Sequence, residues 1–269
     1  MIIDAHAHAA GNYSNAESIR NMVRKYEIEK IILCTSPKNI TDLQAPPNNL
    51  PLKKSPDSNY LLNRMLRFAY THFMKANGDG NKYVFELKNK VPDKIIQFLW
   101  VNPLDKGHMA NIERNIREYQ PKGIKLHQAW DSFEIGKIEF NTLAHIARSY
   151  KLPVFIHIYS KKETWRLLQY IRSNPDTVFI IGHMAGLDIF KTDRSHLENL
   201  FFDTSGSDRV QGKDILKAIN SFGYEHVIFG TDTPYASIDD QINKIDQLNL
   251  SDNVKEHIFR LNISNILSL

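Results

Sequence analysis

The chain has 269 residues, 42% of them hydrophobic, and a formal charge of +4, too small to mark a nucleic-acid-binding surface. Its single cysteine, Cys34, excludes an internal disulfide and a cysteine-based zinc site and suits a reducing compartment. No apolar run approaches the ~18 residues of a membrane span, and no basic-then-apolar leader opens the chain, so a cytoplasmic protein of one domain, 1–269, is expected.

The first apolar run, Ile2–His6, leads on to His8. Side chains alternate along a strand, so regular pairing puts His6 and His8 on one face, with Asp4 beside them as a residue that can orient a ligand. Two imidazoles on rigid backbone are half of a metal site. Ala16–Tyr26 then carries Ile19, Met22, Val23 and Tyr26 at helical spacing, and Lys30–Cys34 is the second strand. Cys34 reads as a small core residue.

The rhythm breaks between strands 2 and 3. Thr41 to Asn59 is rich in Pro and Asn and predicts an irregular loop; Tyr60–Ala76 predicts a helix ended by Asn77-Gly-Asp-Gly80. We treat 44–90 as a lid-like insertion. Nine basic residues face four acidic ones between Gln44 and Lys94, so the rest of the chain is near neutral. A solvated helical face accounts for this excess. A basic lid over an anionic substrate is the sharper reading, with Arg64 and Arg67 as a carboxylate clamp. The apolar content of the insertion also suits a homodimer contact.

Further strands are expected at Ile95–Val101, Gly123–His127, Val154–Ile158, Val178–His183, Leu200–Asp203 and Val227–Gly230. Helical patterns lie between them at Met109–Tyr119, Phe140–Ser149, Lys162–Arg172, Ile215–Phe222 and Ile238–Leu248. Strands apolar on both faces belong to a covered parallel sheet. About eight βα units in series predict an α/β TIM (β/α)8 barrel; a doubly wound open sheet is the competitor.

The strand ends carry the chemistry. Strand 4 ends in Lys125 and His127, strand 5 in His157, strand 6 in His183, strand 7 in Asp203, and Asp232 follows strand 8. Imidazoles and carboxylates at the C-terminal rim suit a divalent transition metal, with zinc the default and manganese an alternative. Asp203 serves equally well as a cap of the strand 7 loop. Trp130, Tyr159 and Tyr235 follow strands 4, 5 and 8 and are candidates to line a substrate pocket.

In this order, Asp4-Ala-His-Ala-His8, Gly123-Ile-Lys-Leu-His127, His157, Gly182-His-Met-Ala-Gly186 and Phe229-Gly-Thr-Asp-Thr-Pro-Tyr235 resemble the amidohydrolase superfamily, in its amidohydrolase-related branch of hydrolases and decarboxylases. Leu261-Asn-Ile-Ser-Asn-Ile-Leu267 resembles the family's closing helix. The resemblance implies that His6, His8 and His157 bind one metal with Asp232, which also accepts a proton from water. It implies His183 as general acid/base rather than a primary ligand. Lys125 matches a residue that bridges two metals in some members, so Lys125 and His127 are assigned to a supporting position or to a second metal.

The expected activity is hydrolysis of a small amide, ester or lactone by metal-activated water. Non-oxidative decarboxylation of a small carboxylic acid is the alternative, and a catalytically inactive binding barrel is the third reading. A small molecule, possible anion included, is the expected partner; nucleic acid and membrane are not.

Overall fold

Eight parallel strands follow one another around the sheet in chain order. They are β1 (Ile2–His8), β2 (Ile28–Cys34), β3 (Ile95–Trp100), β4 (Gly123–His127), β5 (Val154–His157), β6 (Phe179–Ile181), β7 (Leu200–Asp203) and β8 (Val227–Ile228). Backbone hydrogen bonds join the two ends of this order. Phe229 O accepts from Ala5 N at 3.0 Å, His6 O from Asp232 N at 2.7 Å, and Thr233 O from His8 N at 2.8 Å. This is the (β/α)8 barrel that the sequence predicts, and the doubly wound sheet is set aside.

The computed structural model describes residues 1–36, 65, 68, 78–105, 108–158, 160–193, 197–206 and 209–269. The expected loop at 41–59, most of the expected helix at 60–76, and Arg64, Arg67 and Tyr159 lie outside the described residues.

The outer layer is built from α1 (Ala16–Lys25), α2 (Gly80–Lys90), α3 (His108–Tyr119), α4 (Ile138–Ser149), α5 (Lys161–Ser173), α6 (Gly212–Phe222) and α7 (Ile238–Asp246), with α8 (Asn262–Leu267) closing the chain. Side-chain caps set several starts: Asn15 Oδ1 accepts from Ser18 N at 2.9 Å ahead of α1. Asp79 does the same ahead of α2, accepting from Asn81 N at 2.9 Å. The segment 80–90, taken above as the tail of an insertion, is therefore a barrel helix. It packs Val84 and Leu87 against Ile31, Leu33 and Ile95 on the outside of the sheet.

Inside the barrel, Ile3, Ala5, Ile32, Cys34, Ile96, Phe98, Phe155, Ile180 and Ile228 form one buried cluster, completed by Ile263 and Leu267 of α8. This apolar plug fills the N-terminal half and leaves the C-terminal half to polar side chains. Cys34 belongs to it, as expected of a small core residue. The pairing of β1 with β2 slips between Asp4 and Ala7. Ile3 and Ala5 join the interior plug, Ala7 packs outside, and His6 and His8 both reach the polar centre. A regular strand cannot put Ala5 and His6 on one side; the slip does.

Candidate metal centre

At the C-terminal end of the barrel the imidazoles of His6, His8, His157 and His183 converge. Ring centroids are 5.4 Å apart for His6 and His8, 5.0 Å for His6 and His157, and 4.5 Å for His157 and His183. Asp232 enters from the segment after β8, held at a positive φ of 61°. Its Oδ1 lies 3.3 Å from His6 Nε2 and 3.3 Å from His8 Nε2, and its Oδ2 lies 3.6 Å from His183 Nε2. Ligand atoms about 2.0 Å from a common tetrahedral centre are about 3.3 Å from one another, so the first two spacings fit a shared ion. Two sets of buried ligand atoms each fall within 4.8 Å: His6, His157 and His183, and His6, His8 and Asp232.

Close approach between elements makes this possible. A Cβ at Gly182 would lie 2.2 Å from the His157 ring, and one at Gly230 would lie 2.3 Å from Asp203 Oδ1 and 2.8 Å from His6 Cβ. Glycine at both positions lets β6 and β8 press against the neighbouring ligands.

The outer nitrogens fix which inner ones carry lone pairs. His8 Nδ1 faces the Thr35 carbonyl at 2.9 Å, and His183 Nδ1 faces the Ser205 carbonyl at 3.0 Å. A carbonyl only accepts, so each Nδ1 carries the proton. His6 Nδ1 faces Asp203 Oδ2 at 3.0 Å, and the same argument holds. Each Nε2 is thereby turned inward as a ligand or base, which is how imidazoles are prepared for a metal. His183 Nε2 is buried without a hydrogen-bond partner, an orphaned atom open to a cation or to a substrate proton.

Charge follows the same pattern. Burial, then the Lys125 charge, pushes His6 down to about 4 and holds His157 well below its ordinary value. Burial, then Arg209, pushes His183 down to about 3. Burial alone would raise Asp203 and Asp232, but neighbouring His6 holds Asp203 at about 2, and His6, His183 and His8 hold Asp232 well below the carboxylate range. Burial also works against a charge on His8, yet Cys34 and Asp232 beside it raise it to about 10. His6, His157 and His183 are thus neutral where they turn inward, the two carboxylates stay ionised, and His8 alone of the four rings is held protonated by its neighbours while no cation replaces that proton.

β4 contributes differently. Lys125 Nζ lies 2.7 Å from His6 Nε2 and 3.0 Å from His157 Nε2, above the Phe155 ring at 3.9 Å. Burial pushes it down to about 8. His127 Nδ1 accepts from the Trp130 backbone N–H at 3.3 Å, which leaves the proton on Nε2. His127 is thus a hydrogen-bond donor in its neutral form and a poor metal ligand, despite being the register partner of His157.

Asp4 does not touch an imidazole. Its carboxylate accepts from Thr231 N at 2.9 Å and Thr231 Oγ1 at 2.7 Å, tying β1 to the segment that carries Asp232, and burial raises it to about 7. The expectation that Asp4 orients a ligand ring is corrected: the slip in β1 turns it away. Tyr235 sits edge-on to His8 at 5.2 Å and Trp130 edge-on to His127 at 6.1 Å, both half-buried.

Four further residues join the site without having been singled out as site residues. Ser205 Oγ lies 2.8 Å from His6 Nδ1 and 3.0 Å from His183 Nδ1, and it donates to Asp203. Thr35 holds His8 through its carbonyl. Trp100 stacks on His127 at 5.6 Å with an interplanar angle of 3°, and its strand-end position was a usable signal. Arg209 stands beside Gly206, where an added Cβ would lie 3.6 Å from Arg209 Cδ and 3.2 Å from His183 Nδ1. Its charge depresses His183, His127 and Lys125. Nothing in its local sequence pattern announced it.

A family model described as "Amidohydrolase" matches residues 3–269. No curated protein matches the chain. Among solved structures, 5-carboxyvanillate decarboxylase from Sphingomonas paucimobilis is 11% identical with a TM-score of 0.66, covering 100% of this chain and 99% of that one. Dihydroxybenzoic acid decarboxylase from Polaromonas sp. JS666, holding manganese and 2-nitroresorcinol, is 16% identical with a TM-score of 0.68, over 100% and 97%. 4-Oxalomesaconate hydratase from Rhodopseudomonas palustris is 14% identical with a TM-score of 0.64, over 100% and 96%. At such identities the likeness is one of fold.

Proposed function

The chain belongs to the amidohydrolase family of metal-dependent enzymes, and on that premise we propose that it is a carboxy-lyase that removes CO2 from a small aromatic acid. The observation that carries this reading is the set of inward imidazole nitrogens gathered with Asp232, close to the Arg209 charge and to the rings of Trp100, His127 and Tyr235. His6, His8 and His157 with Asp232 would hold one divalent ion, zinc or manganese. When bound, such an ion stabilises negative charge on substrate oxygens.

The chain's own residues supply the rest. Arg209, whose charge is felt at His183, His127 and Lys125, faces a substrate carboxylate. The Trp100–His127 stack and the Tyr235 edge form walls for a ring. His183 Nε2, unprotonated at rest, takes a proton from a substrate hydroxyl. The bond to the carboxylate then breaks, CO2 leaves, the electron pair stays on the ring carbon, and Nε2 returns its proton to that carbon. The decarboxylases named above share the fold and act on acids of this size.

Hydrolysis of an amide, ester or lactone is the second reading. It is favoured by Asp232 Oδ2 facing His183 Nε2 at 3.6 Å, a carboxylate and an imidazole able to share the proton traffic of a water molecule. The metal-replete protein should be offered hydroxybenzoates, lactones and amides, with CO2 release and acid release recorded separately. Release of CO2, with KM raised about tenfold in Arg209→Gln, is the expected result. Acid release alone would replace the carboxy-lyase reading with the hydrolytic one.

A further inference from the structure

A cavity of about 560 Å³ opens at the opposite end of the barrel from the metal centre. Its walls come from the segments that enter β3, β4 and β5 and from the end of α8. The apolar part of the lining includes Ile96, Leu152 and Leu267. The charged part is Lys88, Lys122 and Lys151, and no Asp or Glu is among the lining residues.

Three like charges around one cavity are hard to explain by folding alone. Lys88 Nζ is fastened by the Tyr119 carbonyl at 2.8 Å and the Gln120 carbonyl at 3.2 Å, at the C-terminal end of α3. There it is half-buried, and burial first and the Lys122 charge second disfavour its protonated form. Among the described residues no carboxylate lies within ion-pair distance of Lys122 or Lys151. The fold therefore gathers positive charge over an apolar floor with no carboxylate paired to Lys122 or Lys151 among the described residues, an arrangement that an anion would relieve.

We propose that this cavity is a second binding site, for a small organic anion whose carboxylate or phosphate meets the lysines while its apolar body rests on Ile96, Leu152 and Leu267. The site is separate from the metal but not remote from it. Lys122 and Lys125 are on one strand line, three residues apart, so about 10 Å of β4 backbone connects the cavity to the amine beside His6 and His157. Its ligand differs from the substrate in needing no metal.

Calorimetric titration of the metal-loaded protein with inorganic phosphate and with benzoate tests this. The variants are Lys122→Ala/Lys151→Ala and His157→Ala. Both lysines are exposed, so the double variant should keep its fold and its metal content, checked by circular dichroism and elemental analysis. The expected result is saturable binding near 1 mM or tighter for at least one probe, on the order of a micromolar-to-millimolar site. Binding should weaken about tenfold or more in the lysine variant and persist in His157→Ala, which disables the metal centre. Benzoate binding more tightly than phosphate would support the role of the apolar floor. No saturable binding of either probe, unchanged binding in the lysine variant, or binding lost only in His157→Ala would overturn the proposal. The first two failures leave the carboxy-lyase reading standing, because neither touches the metal centre.

Discussion

β1 and β4 end in the same way in the sequence: two polar residues at spacing i, i+2, both aimed into the barrel. Their chemistry is opposite. On β1, Asp203 and the Thr35 carbonyl take the outer protons of His6 and His8, so both rings turn lone pairs inward. On β4, the ammonium of Lys125 points at the Nε2 of His6 and of His157 on β5, and the Trp130 N–H fixes His127 as an inward donor. The difference teaches that identical spacing becomes a metal-binding arm or a hydrogen-bond-donating arm according to what stands behind each ring. β1 offers lone pairs to a cation, and β4 brings positive charge and N–H donors beside them.

That contrast can be broken most severely from the metal-binding side. His157→Ala or Asp232→Ala should strip metal from the protein and abolish turnover, read by elemental analysis beside an activity assay. His183→Ala should abolish turnover with metal content kept, since the proposed reading assigns its Nε2 to proton transfer. Metal lost along with activity would move His183 among the ligands, beside His6 and His157.

The donor side gives the next largest effect. Removing the Lys125 charge by Lys125→Met should raise affinity for a single divalent ion about tenfold or more, because a positive group 2.7 Å from His6 Nε2 competes with any cation there. A fall from two metals per chain to one would instead make Lys125 a metal-bridging residue and erase the contrast. Smaller again, Asp203→Asn should weaken metal binding about 10- to 100-fold, the usual cost of losing an outer hydrogen-bond partner of a ligand imidazole. Its hydrogen bonds go to His6 Nδ1, Ser205 and the His183 backbone N–H, none of them a group assigned to bond making or breaking, so turnover at saturating metal should largely recover. Failure to recover would mean that Asp203 takes part in the chemistry itself.

The alternating apolar runs by themselves determined the barrel, because strands buried on both faces and spaced by amphipathic segments have few other ways to cover themselves. The same runs pointed to the candidate site, since their C-terminal ends, with Asp232 just beyond the last, named side chains that converge in the fold: His6, His8, Lys125, His127, His157, His183 and Asp232. Local sequence could not assign tautomers or roles. Asp203 and Ser205 reach His6 across 197 and 199 residues of chain, and the charge of Arg209 acts on His183 from a different loop. The phase of β1 was equally hidden: simple alternation put Asp4 with the histidines, and only pairing with β2 introduced the slip that turned it toward Thr231. Hydrophobic pattern is a local property and survives in the sequence. Which proton a ring keeps, and which charge faces it, depends on contacts between segments far apart in the chain, and these exist only once the barrel has closed.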